Sequence, residues 1–171
     1  MATQTPTAFL LVKFRNSNDE PMTKAAAEQM FTAAGRGTMN VVDWFDDNSH
    51  GQVDMTGNAV FGWLTLPQKQ SDYTGSGANP ARRQDIFNWA KQAAAAAGIN
   101  LSTFTSVVVV TNVEIDMFGS AGNVCCTAAT AGKKFWEMQA APSVLCQEMI
   151  HGLGVNELKA RSVISLESLP D

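Results

Sequence analysis

The sequence predicts an α/β layered domain, a mixed twisted sheet with helices packed on it. Three observations lead there. Strand-length apolar runs alternate with helical periods in the order strand, helix, strands, helix, strand, short strand, helix. Ser106–Val113 contains four consecutive valines, the composition of a central strand in a sheet covered on both faces. Pro80–Ala97 is an alanine-rich helical period with proline at its start and Gly98 after its end.

The elements follow in chain order. Ala8–Phe14, A-F-L-L-V-K-F, reads as a buried strand, and Asn16–Glu20 as a polar loop. Thr23–Ala34 reads as a helix, with Ala27, Met30, Phe31 and Ala34 on one stripe and Gly35 beyond its end. Thr38–Asp47 is a second short helix carrying Val41, Val42, Trp44 and Phe45. Gln52–Leu66 is a strand pair or one bent strand, broken near Thr56-Gly57-Asn58. In it Val60, Gly62, Leu64 and Leu66 alternate with Phe61, Trp63 and Thr65. Pro67–Asn79 reads as a long surface loop. The helix Pro80–Ala97 has the inner stripe Ile86, Ala90, Ala93 and Ala97. Gly119–Gly122 is a turn, Val124–Ala128 a short strand, and Pro142–Gly152 a helix near the C-terminus.

With 171 residues, 45% hydrophobic and 16% charged, the chain reads as one lightly charged globular domain, 1–171, with ample material for a core. The net charge of −4 and the absence of any basic run longer than Arg82-Arg83 argue against nucleic acid and anionic membrane surfaces as partners. No apolar stretch reaches transmembrane length. The start, Met1-Ala-Thr-Gln-Thr-Pro, lacks a positive n-region, and Lys13 interrupts Phe9–Phe14. No secretory signal peptide is therefore expected, and the protein is either intracellular or stripped of a leader. Cys125, Cys126 and Cys146 are an odd count, read as reduced, mostly buried thiols. Cys125 and Cys126 are adjacent, so at most one of them can reach Cys146 in a disulfide.

The stretch Leu145–Leu158, L-C-Q-E-M-I-H-G-L-G-V-N-E-L, carries the chemistry. It has the frame H-E-x-x-H-x-x-G-x-x-H of a zinc-protease helix. Gln147 stands at the first ligand position, Glu148 at the general base, His151 at the second ligand, Gly154 at the turn and Glu157 at the third ligand. Two imidazoles at i and i+4 grip one ion, and the glutamate between them takes a proton from metal-bound water. Gln147 offers only a neutral amide oxygen, a poor zinc donor, and Glu157 a carboxylate in place of imidazole. On the helical wheel Leu145, Met149 and Leu153, flanked by Cys146 and Ile150, form a broad apolar face. Gln147, Glu148 and His151 cluster on the other side. An ordinary amphipathic helix fits that wheel equally well.

Three segments together resemble one family. They are Leu145–Leu158, the S-x-G-Q-V-D-M-T-G-x-x-V-F-G-W segment at Ser49–Trp63, and V-V-V-V-T-N-V-E-I-D-M-F-G-S at Val107–Ser120. They are similar to microbial metallopeptidase-like proteins of the zincin class, in the metzincin clan, from roughly Phe9 to Glu157. The resemblance implies a zincin-like fold with an active-site-type helix near the C-terminus. It also implies metal-site positions at Gln147, His151 and Glu157 and a vestigial general base at Glu148. The edge strand Val124, Cys125, Cys126 and Thr127 would pair with an extended peptide. Only Glu148 and His151 match the family residue by residue. No methionine follows Met149, so only the upper subdomain is expected, without the lower subdomain and its Met-turn.

Other constellations read more plainly. Asp46–Gly51, D-D-N-S-H-G, resembles the beginning of a calcium loop but lacks its closing glutamate, since Gly57 stands there. It reads as a helix end and a turn, with His50 a solvated loop residue. A Cys₂His zinc site from Cys146, His151 and one of Cys125 and Cys126 is set aside, because Cys146 lies on the apolar side of its helix. No G-x-S-x-G elbow and no phosphate loop is present. Trp44, Trp63, Trp89 and Trp136 read as core or half-buried residues, with Trp136 the best candidate for an exposed contact. The expected function is a metallopeptidase-like protein with a degenerate site, non-hydrolytic and binding a protein or peptide, with no cofactor unless the site holds zinc. The alternatives are an active zinc metalloendopeptidase with altered ligands and a structural or storage protein with an inert site.

Overall fold

A computed structural model of the protein describes residues 2–74, 83–113, 129–130, 133–134, 145–146 and 149–150. Its centre is strand β2 (Thr7–Lys13), preceded by the short β1 (Thr3–Gln4). Every residue of β2 except Lys13 is buried, because the strand is covered on both sides. The chain continues through α1 (Lys24–Phe31), α2 (Val41–Asn48), β3 (Val53–Asp54) and β4 (Ala59–Thr65). Then come α3 (Gln70–Thr74), α4 (Arg83–Ala96), β5 (Ser106–Thr111) and the two-residue strands β6 (Ala129–Thr130) and β7 (Lys133–Lys134).

The fold is α/β, with parallel sheets and helices packed on them. The main sheet has the order β4–β2–β5 and is parallel throughout. β1 and β3 form a second parallel pair, and β6 with β7 supplies the antiparallel pairing. Parallel neighbours need long crossovers, and α1 with α2 and then α4 provide them. Among the described residues β2, not β5, is the central strand.

Period-2 alternation sends the side chains of β2 and β5 into two cores. Ala8, Leu10, Val12, Val107 and Val109 meet Ile86, Phe87, Ala90 and Ala94 of α4. Phe9, Leu11, Val108 and Val110 meet Ala27 and Phe31 of α1 and Val41, Val42 and Phe45 of α2. The four-valine run is thus buried on both faces, as its composition predicts.

Several boundaries differ from the sequence reading, each for a local reason. Helix α1 stops at Phe31 because Thr32 turns extended. The Thr32 hydroxyl donates to the Glu28 carbonyl and accepts from the Ala34 amide, starting a 3₁₀ turn that leaves Ala34 exposed. Helix α4 packs through Ala94 and leaves Ala97 exposed. Gly98, at φ +74°, ends it, as the Ile99 amide reaches back to the Ala94 carbonyl and Gly98 to Ala95. Pro67–Asn79 is not all loop. It contains α3, whose start is capped by Asp72 accepting from the Lys69 amide and Asn16 accepting from Gln70.

Strand β4 breaks its predicted alternation. Leu10 faces Phe61 and Val12 faces Leu64, so Gly62 and Trp63 together oppose Leu11. This bulge puts Phe61 and Leu64 on the α4 side and Val60 and Trp63 on the other. Only glycine fits at its apex. Gly62 has φ +120°, and a Cβ there would lie 2.2 Å from the Leu11 carbonyl oxygen.

Candidate functional site

The motif-bearing segment is described at Leu145, Cys146, Met149 and Ile150, all α-helical. Leu145 and Cys146 are fully buried and Met149 is 2% exposed, packed in the cluster of Phe9, Leu11, Val108 and Val110. Ile150 is half-buried against the same cluster. The described members of the wheel's apolar face, Leu145, Cys146, Met149 and Ile150, therefore pack on the core, and Leu153 lies outside the described residues. Burial pushes the Cys146 thiol well above the ordinary range, so it stays neutral. A neutral thiol turned into the core is an inert packing group.

The polar residues of the motif, Gln147, Glu148, His151 and Glu157, lie outside the described residues. So do Val124, Cys125, Cys126 and Thr127 of the expected edge strand, Trp136, and Pro80 at the start of the α4 period. The described part of the motif is thus its buried side.

Asp46–Gly51 is a helix end and a turn. α2 closes at Asn48, His50 is exposed with φ +53°, and the Gly51 amide donates to the Asp46 carbonyl. The Ser49 hydroxyl oxygen accepts from the amides of Gln52 and Val53 and steers the chain into β3. Asp46 pairs with Arg36 at 2.6 Å, beside a groove of about 140 Å³ that Asp54 and Thr56 also line. The Thr56 hydroxyl and amide hold the Asp54 carboxyl below its usual range. Among the described residues no three His, Cys, Asp or Glu side chains are grouped to hold a metal ion.

Three buried asparagines do work that the sequence reading missed. Asn40 caps α2 by accepting from the Asp43 amide, and donates to the Gln29 and Thr32 carbonyls. Asn58 accepts from Thr7 N–H and donates to the Phe31 carbonyl. Asn112 follows β5 directly, is fully buried, and ties the chain after β2 to the end of β5. The signal was present in each case: an asparagine next to an apolar run, where one side-chain amide can satisfy backbone groups from two segments.

No model of a known protein family matches the chain, and no curated protein matches it.

Proposed function

We propose that the protein is a zincin-type, metallopeptidase-like protein whose metal site is eroded, and that it binds a protein or peptide segment without hydrolysing it. The observation that supports this is the burial of Leu145, Cys146 and Met149 against the sheet. On the helical period of the sequence, that burial leaves Gln147, Glu148 and His151 for the opposite side. The donor set does not fit a catalytic zinc. It comprises one imidazole at His151, one carboxylate at Glu157 and one neutral amide at Gln147, where such sites use three good donors. Glu148 keeps the position of a general base but has no activated water to deprotonate, so no hydrolytic step follows from these residues. What remains is a polar helix face beside the segment Val124, Cys125, Cys126 and Thr127, which in this reading receives an extended peptide by strand addition.

The test combines metal content, hydrolysis and binding in protein purified without chelator. The reading expects sub-stoichiometric zinc after dialysis, background cleavage of unfolded protein substrates, and saturable binding of labelled extended peptides by fluorescence anisotropy. Stoichiometric zinc with cleavage that Glu148→Gln abolishes would replace it with an active peptidase of altered ligands, a reading favoured by the joint retention of Glu148 and His151. Failure to bind any peptide would leave an inert site.

A further inference from the structure

A short segment, residues 14–20, links the carboxyl ends of β2 and β5. The strand order reverses at β2, since the chain leaves it for β4 on one side and returns as β5 on the other. In open parallel α/β sheets, such a reversal opens a crevice outside the carboxyl ends of the strands. Here residues 14–20 run from the end of β2 to the end of β5, and Asn112 holds them there. Its Oδ1 accepts from the Phe14 amide at 3.4 Å, and its Nδ2 donates to the Ser17 hydroxyl at 2.9 Å and to the Asp19 carbonyl at 2.8 Å.

Among the described residues, the segment has little else to keep it down. Phe14 is buried, but Arg15, Asn16, Asn18, Asp19 and Glu20 are exposed and Ser17 is half-buried. No apolar side chain lies between Phe14 and Pro21. The remaining ties are polar. The Arg15 amide donates to the Gln68 carbonyl, Asn16 accepts from the Gln70 amide, and Lys13 pairs with the exposed Glu20. A segment held by hydrogen bonds and a surface ion pair, beside fully buried strands, belongs to the low-stability end of the molecule.

We propose that residues 15–20 are a strap that opens as a unit while Phe14 stays packed in the core, and that Asn112 is its latch. The latch holds the strap through both donors of a single amide, so the bonds to Ser17 and Asp19 are lost together when the strap lifts. Opening leaves the valines of β5 and the apolar residues of β2 packed, because none of their contacts passes through residues 15–20.

Native-state hydrogen exchange on the full chain, followed across low urea concentrations, tests this. The amides of Arg15, Ser17 and Asp19 should exchange through an opening with almost no urea dependence, while those of Val107–Val110 exchange only through global unfolding. Asn112→Asp keeps the acceptor and loses both donors. It should make the strap opening about tenfold more populated, the worth of one to two hydrogen bonds, with Ser17→Ala giving a smaller increase. If in the wild-type protein the strap amides share the urea slope of the β5 amides, the strap is part of the global unit and the proposal fails. An unchanged opening in Asn112→Asp would equally remove Asn112 as the latch.

Discussion

The two faces of the main sheet are covered in different ways. One face is closed by α4, a single helix that approaches through Ala90 and Ala94, with Ile86 and Phe87 filling one end. The other is closed by α1, α2 and the helical residues Leu145, Cys146, Met149 and Ile150, and it is built round a stacked aromatic pair. Phe9 stacks on Phe31 with ring centroids 4.5 Å apart, and Met55, Phe45 and Leu145 fill around them. On the first face Ala90 and Ala94 are the small residues through which the helix lies close. The second is assembled from segments more than a hundred residues apart in the chain. The motif helix belongs to that second face, so its apolar side is core in the same sense as Phe9 is core.

Substitutions on the two faces should separate these cases. Phe9→Ala should be the most damaging, costing about 3–5 kcal/mol by loss of a fully buried ring and its stacking partner. Chemical denaturation reads it, and a cost under about 1 kcal/mol would mean that this face is loosely packed. Leu145→Ala comes next, at about 3 kcal/mol, the ordinary cost of a truncated core leucine. A negligible cost would show that Leu145 and its described neighbours Cys146, Met149 and Ile150 do not close this face in solution. On the α4 side the vulnerable direction is the opposite one. Ala90→Leu should cost about 1–3 kcal/mol by overpacking, because the helix has no room for a larger side chain there. Stabilisation by that change would mean a gap under α4.

The smallest effect is at the entry to α2. Asp43 accepts from the amides of Gly37, Met39 and Asn40, and the Gly37 bond above all holds its carboxyl below the usual range. A carboxyl with a lowered folded pKa stabilises the protein above its unfolded value, and that contribution is lost as pH falls through the folded value. Asp43→Asn should therefore be less stable than wild type at neutral pH, by about 0.5 kcal/mol, because the solvent-screened carboxylate half of the capping box is lost while the Asn40 cap stays. The two proteins should converge as pH drops below the ordinary carboxylate range. A gap that persists at low pH would make the loss one of shape, not of charge.

The sequence made the fold legible where composition and period agree. The valines of β5 are apolar on both faces because both faces are buried, and the wheel of Leu145, Cys146, Met149 and Ile150 predicts which of them pack. It failed where a single backbone event resets the period. At Gly62 the bulge moves Leu64 to the side of Phe61, and no pattern of apolar residues announces an extra residue in one strand. It failed again where the determinants are polar and long-range. Asn58 joins Thr7 to Phe31, and Asn112 joins the chain after β2 to the end of β5, pairings that exist only once the strands are side by side. For the candidate site, the buried half of the motif helix was legible because packing obeys helical period. The polar half rests on the identities of Gln147, Glu148, His151 and Glu157 alone.

The central claim, that these four residues are an eroded zinc site on the outer side of a docked helix, is tested most directly by repairing it. In the double variant Gln147→His with Glu157→His, helical spacing is expected to set the first two imidazoles on one side and a turn at Gly154 to return the third. Titration with zinc at neutral pH, followed calorimetrically against the parent protein, should then show one tight stoichiometric site where the parent shows weak binding or none. Equal affinity in the two proteins would contradict the account. It would mean that Glu157 does not come back to His151, and that the likeness to a zinc-protease helix ends with its apolar face.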